Sequence, residues 1–166
     1  MDAVFVQPAL LEDKLAPAPK KPRKVSFTDP FIFHAVRSWL KPVEDPFSEQ
    51  IRLSVEDSEW AGRLAEACVT THFRRFVPTY YIKAEGEVDI AFVRDGRFWP
   101  LEVKWTGQVR PKDLKQIRKY PNGAIWARGR KPGTLGGVPV EPLPVALARL
   151  KETTSRERQV GGSAED

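Results

Sequence analysis

The sequence reads as one α/β layered domain. Three observations carry this expectation. Apolar residues recur at helical spacing between Thr28 and Phe76. The period then changes to two between Tyr80 and Trp105. Beyond Pro111, short helical and strand patterns alternate as far as Leu150. The expected order is two helices, three strands, a helix, a strand, a short fifth strand and a last helix, with the sheet flanked by helices.

The first helix is signalled by Thr28-Asp29-Pro30, where Thr28 or Asp29 can cap and Pro30 suits the first helical position. Phe31, Ala35 and Trp39 continue it at i+4 spacing, with Phe33 and Val36 beside them, and Pro42 follows its end. Residues 41–57 read as an acidic loop. A longer helix is expected from about Val55 to Phe76, with an apolar stripe of Trp60, Leu64, Ala67, Cys68, Thr71, Phe73 and Phe76. Cys68 is expected to fill the core. His34 and His72 are read as surface residues or as complements to a helix dipole. Strands follow over Tyr80–Lys83, Glu87–Arg94 and Arg97–Trp105, and Asp95-Gly96 between the last two is a type I′ hairpin turn. Pro111–Tyr120 is expected as a helix with Leu114 and Ile117 inward. Gly123–Arg128 is a fourth strand, residues 129–137 a basic glycine loop, Val138–Glu141 the short strand, and Val145–Leu150 the last helix.

Residues 1–24 open with the apolar run Ala3–Val6 and turn rich in proline and lysine, so they are expected as an arm or linker, or as the remnant of a preceding domain, with extended geometry around Pro17, Pro19 and Pro22. The packed domain is placed at 25–151. Residues 152–166 lack an apolar period and are expected to be disordered. The 166 residues suit a single domain, roughly 100–200 residues being the usual size.

Composition removes several function classes. One cysteine rules out an intrachain disulfide and a cysteine-based zinc cluster, and two histidines leave little for a histidine-rich metal site. No apolar run has the length of a membrane span and no signal peptide is recognisable, so a cytoplasmic protein with no membrane partner is expected. No G-x-x-x-x-G-K-[ST] motif occurs, and Gly133–Gly137 has no lysine to hold phosphates. Lys and Arg outnumber Asp and Glu by 27 to 22, a net +5 that is compatible with nucleic acid.

The hairpin supplies the chemistry. A two-residue turn at Asp95-Gly96 pairs Arg94 with Arg97, Phe92 with Trp99, Ile90 with Leu101 and Asp89 with Glu102. The last is a non-hydrogen-bonded pair, where Cα atoms approach to about 4.5 Å. Lys104 falls two residues on, on the same face. Val88, Ile90, Phe92, Trp99, Leu101, Val103 and Trp105 make up the opposite, apolar face. Facing carboxylates repel. A divalent cation neutralises them, and hard oxygen ligands suit Mg²⁺ or Mn²⁺. With a lysine beside them to hold or activate water, they match the needs of metal-assisted phosphodiester hydrolysis.

These residues resemble the PD-(D/E)XK nuclease signature: an acid on one strand, then Asp or Glu, an apolar residue and Lys on the next. Here it reads Gly86-Glu87-Val88-Asp89 and Leu101-Glu102-Val103-Lys104, with Val88 where a proline usually stands. The resemblance implies Asp89 and Glu102 as metal ligands, the Val103 carbonyl as a further one, and Lys104 as the group that orients the attacking water. It also implies a carboxylate on the preceding helix that binds the metal directly or through water, best matched by Glu66, with Glu59 and Glu56 poorer matches because they sit nearer the helix start. Gln116-x-x-x-Tyr120 is similar to the Q-x-x-x-Y element of RecB-type nucleases, which would make Gln116 a positioning group supported by Tyr120. Over residues 24–150 the chain resembles the C-terminal nuclease-like domain of archaeal and bacterial AAA-type ATPases. That resemblance implies a restriction-endonuclease-like three-layer core with a mixed sheet of four or five strands. It also implies an ATPase or winged-helix partner, with a homodimer left open.

Charge is uneven. From Arg94 to Lys131 eleven basic residues stand against three acids, whereas Lys41–Glu66 holds three against seven. Arg110, Lys112, Lys115, Arg118, Lys119, Arg128, Arg130 and Lys131 are the candidates for DNA phosphate contacts. No base-reading motif is visible, so backbone- or structure-directed binding is expected. The alternative reading, which rests on the resemblance, is a non-catalytic DNA- or partner-binding module left from a truncated AAA-type ATPase.

Overall fold

The computed structural model describes residues 2–129 and 131–150. Arg130 and the tail 152–166 therefore lie outside the described residues.

A six-stranded mixed sheet forms the centre. Its strands are β5 (Thr79–Lys83), β6 (Glu87–Arg94), β7 (Arg97–Lys104), β8 (Ala124–Ala127), β9 (Gly133–Leu135) and β10 (Val138–Pro142), ordered β5-β6-β7-β8-β10-β9. The first three pair antiparallel, β7-β8 and β8-β10 pair parallel, and β9 returns antiparallel on β10. The sheet thus exceeds the expected four or five strands, because part of the glycine loop is strand. Gly136 and Gly137, both at positive φ, turn β9 back onto β10.

One face packs on α3 (Ser58–Arg74) and on α4, the helix over residues 143–150. Ile90, Leu101, Val103 and Trp126 meet Ala65, Val69, Phe73, Leu143 and Ala146 there. Asp57 caps α3 by accepting from the backbone N–H groups of Glu59 and Trp60 at 3.0 and 2.9 Å. The buried stripe of α3 holds the expected Thr71 and Phe73, but its first turns run through Ala61, Ala65 and Val69, one position on from Trp60, Leu64 and Cys68. The small alanines let the helix approach the sheet closely, and Trp60 is turned outward.

The other face is covered by Leu10, Val109, Leu114 and Ile117, which meet Ala91, Ile125, Ala127 and Val140. Leu114 and Ile117 belong to two 3₁₀ turns, Pro111–Leu114 and Ile117–Lys119, rather than to the single helix expected. An Arg110–Asp113 cap closes the first turn, and tertiary packing of Leu114 and Ile117 replaces helical continuity.

The N-terminal segment is not an arm. β1 (Val4–Pro8) pairs antiparallel with β4 (Arg23–Phe27), and β2 (Leu10–Leu11) pairs with β3 (Ala16–Pro17). Ala9 bridges Tyr81, which covers the outer edge of β5. Phe5, Gln7, Ala9, Leu10 and Ala18 are buried. The prolines Pro8 and Pro17 lie at strand ends, where a missing N–H costs little.

α1 (Pro30–Leu40) starts as expected, with Pro30 in its first turn and the Asp29 side chain accepting from Phe31 N–H at 2.7 Å. Its expected inward stripe faces out instead: Phe31 is 76% and Trp39 79% exposed. Tilted ring contacts of Phe33 with Trp60 (5.2 Å) and Phe27 (5.8 Å) set the rotation of the helix. The inner side carries polar links from Arg37 to Ser54 and from Ser38 to Gln50, onto the expected loop. That loop is helical over Phe47–Ile51 and α2 (Arg52–Glu56). His34 is buried against Phe33, contrary to its reading as a surface residue. Among the described residues no helix is long and apolar enough to cross a membrane.

Candidate functional site: an acid pair and a lysine beside a bulge

The β6–β7 hairpin has the expected register. Asp95 and Gly96 both take positive φ (52° and 67°), as a type I′ turn requires, and the ladder runs from Arg94↔Arg97 to Ile90↔Leu101. There it stops. On the other side of β6, Tyr80 pairs with Ala91 but Ile82 with Val88, so Asp89 and Ile90 together oppose the single residue Tyr81. This is a β-bulge at the candidate site, a device that re-aims a side chain. It corrects one expectation. Val88 packs with Ile82 and Ala91 on one face while Ile90 packs on the other, because one extra residue flips the facing of all that follow.

Freed from the ladder, the Asp89 carboxylate accepts from Val103 N–H at 2.8 Å. Gln7, 2% exposed, fixes the bulge from behind, donating to the carbonyls of Tyr80 (2.7 Å) and Asp89 (3.2 Å). Glu102 is 4% exposed and its carboxylate lies 3.0 Å from Lys104 Nζ. Burial first, and then the nearby Asp89 charge, push the Glu102 carboxyl up to about 8, and Asp89 shares a hydrogen bond with it. Burial would lower Lys104, but the charges of Glu102 and Asp89 outweigh it and raise the ammonium above its usual range. Asp89, Glu102 and Lys104 are thus brought together at the C-terminal end of β7, beside the C-terminal end of the parallel strand β8.

Glu66, on α3, stands near Asp89 but is already engaged. Lys24 Nζ lies 2.6 Å from Glu66 and 2.7 Å from Glu87. Burial, and then Asp89, raise the Glu66 carboxyl. Gln116 lies over Gly86: a Cβ there would fall 2.1 Å from Gln116 Cδ, so only glycine admits this contact at the start of β6. Tyr120 does not share a helical face with Gln116, since the segment is 3₁₀. Its hydroxyl donates to Glu12 at 3.4 Å and its ring meets Phe98 edge-on. Burial and Glu12 push the Tyr120 hydroxyl up to about 12.

Arg110, Lys112, Lys115, Arg118, Lys119, Arg128 and Lys131 are all exposed. Arg128 N–H donates to the Lys104 carbonyl at 3.0 Å and its guanidinium lies over Trp105, so it borders the acid pair. Lys119 is paired with Glu85 at 2.6 Å. Sequence reasoning missed Gln7 and Lys24 as site residues. Val4-Phe5-Val6 is apolar without alternation, so nothing local marks Gln7 as inward, and nothing local marks Lys24.

Among the described residues no group of three or more His, Cys, Asp or Glu side chains is arranged to hold a metal. What the site offers is two carboxylates. The Val103 carbonyl joins them, because strand alternation turns it to the same side as the Val103 N–H that reaches Asp89. All are hard oxygen donors, which fit Mg²⁺ or Mn²⁺, ions commonly held by one or two carboxylates with water and phosphate completing the shell.

The family described as Domain of unknown function (DUF4143) matches residues 61–130, less than half of the chain. The span contains Glu66, Asp89, Glu102, Lys104 and Gln116 and leaves out Lys24. No curated protein and no solved structure matches the chain.

Proposed function

We propose that the chain is a metal-dependent nuclease-like domain that hydrolyses phosphodiester bonds in DNA, directed by backbone or branch structure rather than by base sequence. The observation that carries the reading is the convergence of Asp89, Glu102 and Lys104 where the β6–β7 ladder opens. Asp89 and Glu102, with the Val103 carbonyl, would hold Mg²⁺ or Mn²⁺. Such an ion polarises a phosphoryl oxygen and acidifies bound water. Lys104, kept protonated by its two carboxylates, orients the attacking water and offsets charge on the phosphate. Arg128 borders the acid pair, and the exposed cations Arg110, Lys112, Lys115, Arg118, Lys119 and Lys131 suit a DNA backbone. A restriction-endonuclease-like core and an AAA-type ATPase partner belong to the same reading, through the resemblance of residues 24–150.

Asp89→Ala and Lys104→Ala are each expected to lower Mg²⁺-dependent cleavage of single-stranded, duplex or branched DNA by about 100-fold or more. Salt-dependent DNA binding should survive in both variants. Cleavage that persists undiminished in either would count decisively against this site.

A second reading, a non-catalytic partner-binding module, is favoured by the outward rings of α1. Phe31, Trp39 and Leu40 are large apolar residues left exposed on α1, and exposed apolar surface marks association sites. Salt-dependent DNA binding with no cleavage under Mg²⁺ or Mn²⁺ would select it.

A further inference from the structure

We propose that Lys24 is the resident cation of the Glu66–Glu87 pair, and that it keeps Glu66 out of the metal-holding set. The inference rests on the reading of Asp89 and Glu102 as the metal pair.

Three carboxylates, those of Glu66, Glu87 and Asp89, crowd one end of β6, and such a cluster needs positive charge. Lys24 supplies it at 2.6 and 2.7 Å from the two glutamates. The Lys24 and Glu66 side chains are only 21% and 25% exposed, so the contact is far less screened than a surface ion pair. Several features fix the ammonium. It lies 5.1 Å from the Tyr81 ring centroid, and the Tyr81 hydroxyl is itself anchored by donation to the Pro22 carbonyl at 2.6 Å. Lys83 balances the far side of Glu87 at 3.3 Å. Lys24 is also the cross-strand partner of Gln7. Directly opposed residues share a face, so one rung of the β1–β4 ladder delivers two donors: Gln7 to the Asp89 carbonyl and Lys24 to the flanking glutamates.

Glu66 therefore has its charge satisfied without a metal. Were it turned to Asp89 and Glu102, three acidic side chains would share one ion, whereas among the described residues no three such side chains are arranged to hold a metal. The pair is reachable by ions. Lys24, Glu66 and Glu87 line an open groove of about 580 Å³ together with Phe33 and Trp60. With the ammonium removed, Glu66 and Glu87 would be left as hard oxygen donors on an accessible wall.

The test is Mn²⁺ titration of the full chain, by calorimetry and by the electron paramagnetic resonance of free Mn²⁺, with circular dichroism to check folding. The wild type is expected to bind one ion, weakened by about 10-fold or more in Asp89→Asn and unaffected by Glu66→Gln. Lys24→Met should gain a second ion, which Lys24→Met combined with Glu66→Gln should lose, and Lys24→Arg should behave as wild type. If Glu66→Gln alone weakens the wild-type ion by about 10-fold, Glu66 is a ligand and the inference is overturned. It is overturned equally if folded Lys24→Met gains no ion. If the wild type binds no ion but Lys24→Met binds one through Glu66, the reading of the Asp89–Glu102 pair fails while the role of Lys24 stands.

Discussion

The two supports of the acid pair differ in kind. On one side the β6–β7 hairpin places Asp89, Glu102 and Lys104 by local rules: a two-residue turn, a fixed register and alternation of side chains. On the other side the β1–β4 ladder reaches Asp89 and its neighbour strand from far away in sequence, through the Gln7 contacts with Tyr80 and Asp89. The first support sets which residues meet. The second sets how far the ladder is allowed to open, because it holds the bulge at Asp89 and the neighbouring glutamates. A candidate site can thus be encoded locally and still depend on a distant segment for its shape.

Removal of residues 1–24 would break the distant support altogether and is expected to have the largest effect. It uncovers the edge of β5 and takes away buried Phe5 and Leu10, each worth about 1.5–3 kcal/mol. Urea denaturation should show a chain that no longer unfolds cooperatively. Gln7→Leu breaks the same support at one point. A buried and a half-buried carbonyl lose this donor, at a cost of about 2 kcal/mol, and DNA cleavage should fall with it as Asp89 loosens.

pH sharpens the comparison next. The Glu102 carboxyl, raised by burial and by Asp89 to about 8, binds a proton in the folded state that the unfolded chain releases near its ordinary value of 4.5. Folding stability contributed by this group should therefore fall as pH rises from about 4.5 to about 8, and level off above that. Mg²⁺ should make the fall shallower, since a cation favours the ionised pair. Denaturation curves across that range, with and without the ion, check both statements. The smallest effect belongs to the local support. Gly96→Ala strains a residue at positive φ and should cost about 1 kcal/mol in thermal unfolding, while the pairing of Asp89 with Val103 persists.

The same contrast explains what was legible. Asp95-Gly96 announces its turn, and the register follows from that turn, so the meeting of Asp89, Glu102 and Lys104 could be read from the chain alone. The boundaries of β6 and the capped start of α1 were readable for the same reason: short-range chemistry dictates them. The rotation of α1 was not, because Phe31 and Phe33 are equally apolar and only the rings of Phe27 and Trp60 decide which of them turns inward. The stripe of α3 slipped by one position because a pattern count favours large residues, whereas close packing on the sheet selects Ala61 and Ala65. The N-terminal layer was hidden by its prolines. They argue for an extended, unpaired segment, and only the contacts of Gln7, Ala9 and Lys24 with β5 and β6 reveal a paired one. The bulge at Asp89 depends on Tyr81 and on that layer, so no inspection of the hairpin by itself could place it.

The bridge between Ala9 and Tyr81 leaves the sheet asymmetric. With that margin already occupied by the N-terminal segment, the open margin of the six-stranded sheet among the described residues is β9, which is three residues long and follows directly on Lys131-Pro132. A template so short, with a charge and a proline before it, offers little purchase for runaway β-stacking. Its protection against self-templating is therefore concentrated at the two extremes of the fold.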